Sequence, residues 1–158
     1  MNIETTEDDI VTRLQVKLSA ETDVTVLAIP EDDVEIQPDF GKRKIIVAFA
    51  SEEAQPDGNT SVVAQDTDIT FSVLLQGKLL RGDTGLYNLA AKVKLALVGF
   101  RPTDCQQLTY SSFKFVRNDK KIFEYLLDFK TVGVVVEDTE EASGPPFVDV
   151  TYIDPPGN

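Results

Sequence analysis

The chain has 158 residues, 42% of them apolar, with nine Phe and four Tyr, enough to bury one substantial core as a single domain. Its formal charge of −12 repels nucleic-acid phosphates and weighs against sequence-independent DNA binding. It contains no His and a single cysteine, Cys105, which removes His-based triads, His–metal sites, zinc clusters and intramolecular disulfides.

Thr5 to Ala20 is expected to form the first helix. Thr5 or Thr6 would cap it, and Glu7, Asp8 and Asp9 fall in the first turn, where the helix dipole favours carboxylates. Ile10, Leu14 and Leu18 recur every four residues with Val11 beside them, a narrow stripe suited to lying on a sheet. The start of the chain is acidic and lacks the basic and apolar regions of a signal peptide. No apolar run approaches the roughly 20 residues of a membrane span, so a soluble protein with no membrane partner is expected.

Val24–Ile29 reads as a short strand ended by Pro30, followed by an acidic loop. A second strand is expected over Lys42–Ala50. The stretch SEEAQPDGNTS then reads as an exposed loop with PDGN at its tip. Val62–Gly77 is a third strand, with Ile69, Phe71, Val73 and Leu75 on a buried face and Asp68, Thr70, Ser72 and Leu74 on the other. The second and third strands should pair as an antiparallel hairpin.

Asp83 or Thr84 is expected to cap a second helix whose buried stripe is Leu86, Leu89, Ala90, Val93 and Leu97. Gly99 stops it, and Phe100 staples its exit to the core. A fourth strand over Leu108–Val116 leads through the turn RNDKK into a fifth over Ile122–Val136. In the fifth, Phe123, Tyr125, Leu127, Phe129, Thr131 and Val135 should point one way, and Glu124, Asp128 and Lys130 the other. The run VGVVV, apolar on both faces, predicts deeper burial near its end. The fold class expected is α+β: a mainly antiparallel sheet of four to five strands with two helices on one face, spanning residues 1–137.

Residues 138–158 change character. From Glu137 onward the chain has six acidic residues, no basic one, four prolines and two glycines, yet it holds the β-like run FVDVTYI. The composition suits a solvated tail. The alternation suits an arm that adds a strand to a neighbouring subunit.

No stretch carries a catalytic signature, and neither cofactor nor metal is expected. The run GDTG at Gly82–Gly85 lacks the lysine and spacing of a phosphate loop. Glu31, Asp32, Asp33 and Glu35 lack the spacing of a calcium loop and read as solvated, as do Glu52, Glu53 and Asp57. Cys105 has no base and stands beside Asp104, which disfavours a thiolate. Two basic groups stand out in so acidic a chain: Lys42, Arg43 and Lys44 at a strand start, and Arg117, Lys120 and Lys121 at a hairpin tip. Solvation explains them, and so does contact with acidic patches of an identical copy, as in a head-to-tail ring.

The helix EDDIVTRLQVKL, the second helix ending in LALVGFRP, the cysteine shortly after it and the strand FEYLLDFKTVGVVVE together resemble the phage tail proteins related to the Mu-like tail terminator. The resemblance covers about Glu7 to Glu137, and the segment beyond lies outside it. It implies a small α+β subunit of a hexameric ring at the head-proximal end of the tail tube. Such a ring stops tube growth, meets the neck or connector protein and, in a contractile tail, the sheath protein. DNA would pass through the lumen as cargo, and the protein would reside in the tail neck of a virion assembled in the host cytoplasm. The alternatives are another head–tail connector or neck protein, or a small acidic enzyme or ligand-binding domain. The expected contact residues are Lys42, Arg43, Lys44, Glu52, Glu53, Asp57, Arg117, Lys120, Lys121, Phe147, Val150 and Tyr152.

Overall fold

The computed structural model describes residues 1–32, 36–38, 41–56 and 64–136. Helix α1 spans Ile3–Lys17, strand β1 Val24–Ala28, β2 Arg43–Ala54, β3 Ala64–Gly77, helix α2 Leu86–Leu97, β4 Thr109–Asp119 and β5 Ile122–Val136. The strands form one mixed sheet in the order β1-β2-β3-β5-β4. The β1–β2 pair is parallel and the other pairs are antiparallel. This is the expected α+β fold, with β2 and β3 paired as the expected hairpin.

One face of the sheet carries the core. Ile45 and Val47 of β2, Ile69, Phe71, Val73 and Leu75 of β3, and Leu127 and Phe129 of β5 are buried there with Ile10 and Leu14 of α1 and the α2 stripe Leu86, Leu89, Ala90, Val93 and Leu97. Both periodicities therefore meet in one layer, helices on one side of the sheet. At roughly 1.5–3 kcal/mol for each large side chain fully buried, this cluster is the main stabilising element.

Several boundaries differ from the sequence expectation. Helix α1 starts earlier, because Asn2, not Thr5 or Thr6, is its N-cap, accepting from the Thr5 amide at 3.3 Å. Thr6 instead turns inward, and its Oγ1 lies 3.7 Å from Cys105 Sγ. Helix α2 is capped by Gly85 without a side-chain hydrogen bond, so neither Asp83 nor Thr84 caps it. Carbonyls do the work: the amides of Leu86 and Tyr87 donate to Leu79 and Leu80 oxygens at 2.8 and 3.1 Å. A Cβ on Gly85 would sit 2.5 Å from the Leu80 oxygen, so the tight turn excludes a side chain there.

Strand β2 runs to Ala54, into the stretch read as loop, past a register shift between Phe49 and Ser51. Glu7 of α1 accepts the Phe49 amide at 3.1 Å, so a helix carboxylate satisfies the backbone at that bulge. Strand β4 runs to Asp119, and the hairpin turn shrinks from RNDKK to Lys120 and Lys121, with φ of 48° and 68°. The end of β5 is not deeply buried: Val134 is 39% and Val135 50% exposed. The register explains it, since Lys130 already pairs with the first residue of β4, and the last residues of β5 outrun that neighbour.

Candidate assembly surface

The opposite face of the sheet is built from the alternate residues of the same strands. Ile46 of β2, Leu74 of β3 and Leu126 of β5 border an apolar hollow of about 180 Å³, together with Ile29, Ile36, Ala48 and Ser72. Beside it the face turns polar. Asp128 accepts hydrogen bonds from Ser72 at 2.6 Å and Ser112 at 2.8 Å, and Lys114 lies 3.6 Å away. Partial burial opposes the charge, but the two hydroxyls and Lys114 outweigh it and hold this carboxyl below its ordinary range. Further along, Glu124, only 4% exposed, accepts from Gln76 at 3.0 Å and from Arg117 Nε at 2.7 Å. These are strand-to-strand ties between β3, β5 and β4. Their hydrogen-bonding capacity is spent on neighbours, an arrangement that fixes register.

Among the described residues, strand β4 ends the sheet. Its alternation separates two chemistries. Phe113 and Phe115 stand opposite Leu127 and Tyr125, on the helical face, while Ser112, Lys114 and Arg117 stand opposite Asp128, Leu126 and Glu124, on the other. The helices do not fully cover the aromatic side. Tyr110, Phe115 and Val116 are exposed, and Phe115 packs on Tyr125 with ring centroids 5.5 Å apart. Tyr87 of α2 meets Tyr125 edge-on at 5.7 Å, and Lys94 Nζ lies over the Tyr110 ring at 4.4 Å. An apolar, partly cationic rim therefore runs beside a strand edge.

Among the described residues, the expected contact residues do not converge on one site. Lys42 is exposed. Arg43 turns inward, 4% exposed, and binds Asp23 through Nε at 2.8 Å and Glu21 through Nη2 at 2.8 Å, with Lys92 of α2 also on Glu21. It ties β2 to the α1–β1 connection instead of facing solvent. Lys44 donates to the Gln37 carbonyl at 2.7 Å. Glu52 and Glu53 are exposed at the end of β2. Arg117 is engaged by Glu124, and Lys120 and Lys121 are exposed at the hairpin tip. Asp57, Phe147, Val150 and Tyr152 lie outside the described residues, as do Asp33 and Glu35.

The sequence reading missed the aromatic rim and the two carboxylates that pin the hairpin. The signal was present in the alternation FKFVR, whose apolar members are too many for a solvated edge. Burial pushes the Cys105 thiol above its ordinary range, which opposes thiolate formation. A hollow of about 470 Å³ lies at the end of α1 against α2. Of its charged members Lys17, Glu21 and Lys92, the last two are paired with each other. Among the described residues no group of three or more acidic or cysteine side chains is placed to hold a metal ion, and no helix is long and apolar enough to cross a membrane.

Comparison with known proteins gives three results. The model of a family described as Gp37 protein matches residues 10–154, past Glu137 and through the run FVDVTYI. Among solved structures, a chain of the virion of a native gene transfer agent (GTA) particle matches with 18% identity and a TM-score of 0.45, over 82% of this chain and 94% of that one. No protein with a curated description matches.

Proposed function

Since the chain belongs to the Gp37 family, we propose that it is a structural protein of a phage virion, and specifically the terminator of the tail. In this reading identical subunits close into a ring, a hexamer, on the head-proximal end of the tail tube. One face of the ring copies the contact that a further tube subunit would make, the other does not, and tube growth stops there. The second face receives the neck or connector protein and, in a contractile tail, the last sheath ring. DNA passes through without being bound, which accords with a net charge of −12.

The observation that carries the assembly reading is the edge of β4. An eleven-residue edge strand that carries exposed Tyr110, Phe115 and Val116 is costly for a subunit that stays alone. It suits one whose edge is covered by a neighbour. The cations at the adjoining tip, Lys120 and Lys121, supply a charge opposite to most of the surface, as head-to-tail contact between identical copies requires.

The test is the mass of the protein in solution and by imaging, alone and beside tube protein. Rings that cosediment with tube ends support the reading. A chain that stays monomeric at high concentration and beside tubes overturns it. Binding to the portal side and not to the tube would make it a connector instead. Charge reversal at Lys120 and Lys121 that left rings intact at physiological salt would remove the electrostatic part of the argument.

A further inference from the structure

We propose that the occupant of the β4 edge is the run Phe147–Ile153 of a neighbouring copy, added as a further strand. The proposal rests on the ring reading above and names the contact that would close it. Four observations support it.

The first is alternation. Laid beside β4, the run FVDVTYI puts Val148, Val150 and Tyr152 on one face and Phe147, Asp149, Thr151 and Ile153 on the other. Strand β4 presents Phe113 and Phe115 on one face and Lys114 and Arg117 on the other. One register parity therefore sets apolar against aromatic and Asp149 against the cations. The opposite parity would set Asp149 among the rings.

The second is charge. From Thr109 to Ile122 the hairpin carries Lys114, Arg117, Lys120 and Lys121 and one carboxylate, Asp119; Lys114 and Arg117 are matched across the hairpin by Asp128 and Glu124, and Lys120 and Lys121 stand exposed at the tip. From Glu137 onward the chain carries six acidic residues and no basic one. The most acidic segment and the most cationic edge belong to the same chain, so copies are complementary to each other.

The third is reach. Strand β5 ends beyond the start of β4, since Thr109 pairs with Lys130 and β5 stays paired with β3 as far as Val136. An arm returning along its own β4 from there runs parallel to it, the less stable pairing. To run antiparallel and pair all seven residues it would have to begin level with Phe115. That level is set by Tyr125, eleven residues back from Val136 and about 37 Å away along the strand. The eleven steps from Val136 to Phe147 cover about 36–40 Å only when fully extended, and they include Pro145 and Pro146. A neighbour's edge imposes no such limit.

The fourth is the family match, which continues to residue 154 and so includes the run. The segment is part of the unit that defines the family.

The test uses the full chain and two single-cysteine additions, Phe115→Cys in one preparation and Val150→Cys in the other. Cys105 is 3% exposed and does not compete. Mixing and mild oxidation should give a covalent dimer containing one chain of each kind, and truncation after Glu137 should abolish it together with self-association. A double variant that cross-links only within single chains places the arm on its own edge and overturns the exchange. Self-association that survives truncation undiminished, with no cross-link, overturns the arm while leaving the ring reading intact. A full chain that never self-associates overturns both. Val150→Asp serves as a second variant: a well-folded monomer, judged by an unchanged thermal midpoint of the core, is the expected result, and unchanged assembly counts against the proposal.

Discussion

Arg117 and Glu124 face each other directly across the β4–β5 hairpin, and the Arg117 Nε donates to Glu124 Oε2 at 2.7 Å while Nη2 reaches Oε1 at 3.3 Å. The pair is asymmetric. The arginine side chain is 59% exposed and the glutamate only 5%. Removing the cation therefore strands a largely buried carboxylate whose other named partner is Gln76, and Arg117→Ala should destabilise the chain. Glu124→Gln removes the charge but keeps the shape, so it should cost less, and the double variant should cost less than the sum of the two. A double-mutant cycle in urea unfolding measures the coupling, and additivity would show that the pair contributes nothing of its own.

That pair also shows what was legible. The core was readable because burial follows periodicity: Leu86, Leu89, Ala90, Val93 and Leu97 at helical spacing, Ile69, Phe71, Val73 and Leu75 at strand spacing. Arg117 and Glu124 became partners only once the turn was fixed at two residues. Read as a five-residue turn, RNDKK leaves Arg117 outside the ladder. Lys-Lys carries none of the glycine or asparagine chemistry that marks a tight hairpin, so the turn was hidden by its own unfavourable residues. Arg43 was misplaced for a related reason. A cation in a run of three looks solvated, and only the fold brings Glu21 and Asp23 to it. The parallel pairing of β1 with β2 had no local signal at all, since register between separated strands is set by the core they share.

Gly85 gives the sharpest steric prediction. The carbonyl that helps cap α2 lies where its Cβ would be, 2.5 Å away, and that atom is backbone and cannot swing aside. Gly85→Ala must open the turn between Leu79 and Leu86 or shift the helix. A loss of about 2–3 kcal/mol is expected, or about 5–10 °C in thermal midpoint for a domain of this size. Asp83→Ala and Thr84→Ala, at the positions the sequence suggested as caps, should each fall within about 0.5 kcal/mol of the parent. Calorimetry on the three variants separates the two capping schemes.

The β4–β5 turn should be open to improvement. Lys120 and Lys121 both sit at positive φ, 48° and 68°. For residues with a Cβ this region costs roughly 1–2 kcal/mol each. Replacing them with Asn and Gly, the pair preferred for this turn, should stabilise the chain by about 1 kcal/mol or more. The expected signature is a higher urea midpoint with an unchanged slope. If Lys120 and Lys121 also serve contact between copies, the same variant should assemble less well while folding better.

Acid should unfasten the Arg43 network in a definite window. Hydrogen bonds from Lys92 and then Arg43 hold Glu21 below its ordinary value of 4.5, and Arg43 holds Asp23 below 3.8. A carboxyl with a lower pKa in the folded state binds its proton more readily when unfolded, so acid favours unfolding. The stabilisation is complete above the ordinary values and is lost as pH falls through the depressed ones, that is, from about pH 4.5 downward. Arg43→Met keeps the apolar stem and removes the fork. It should lower stability at pH 7, because Glu21 and Asp23 lose their shared partner, though Glu21 keeps Lys92 and solvent screens both carboxylates. It should also flatten the fall in stability below pH 5. Urea midpoints of parent and variant from pH 3 to pH 7 test both parts: the curves should converge at the acidic end, and a constant gap between them would mean that Arg43 acts through packing alone.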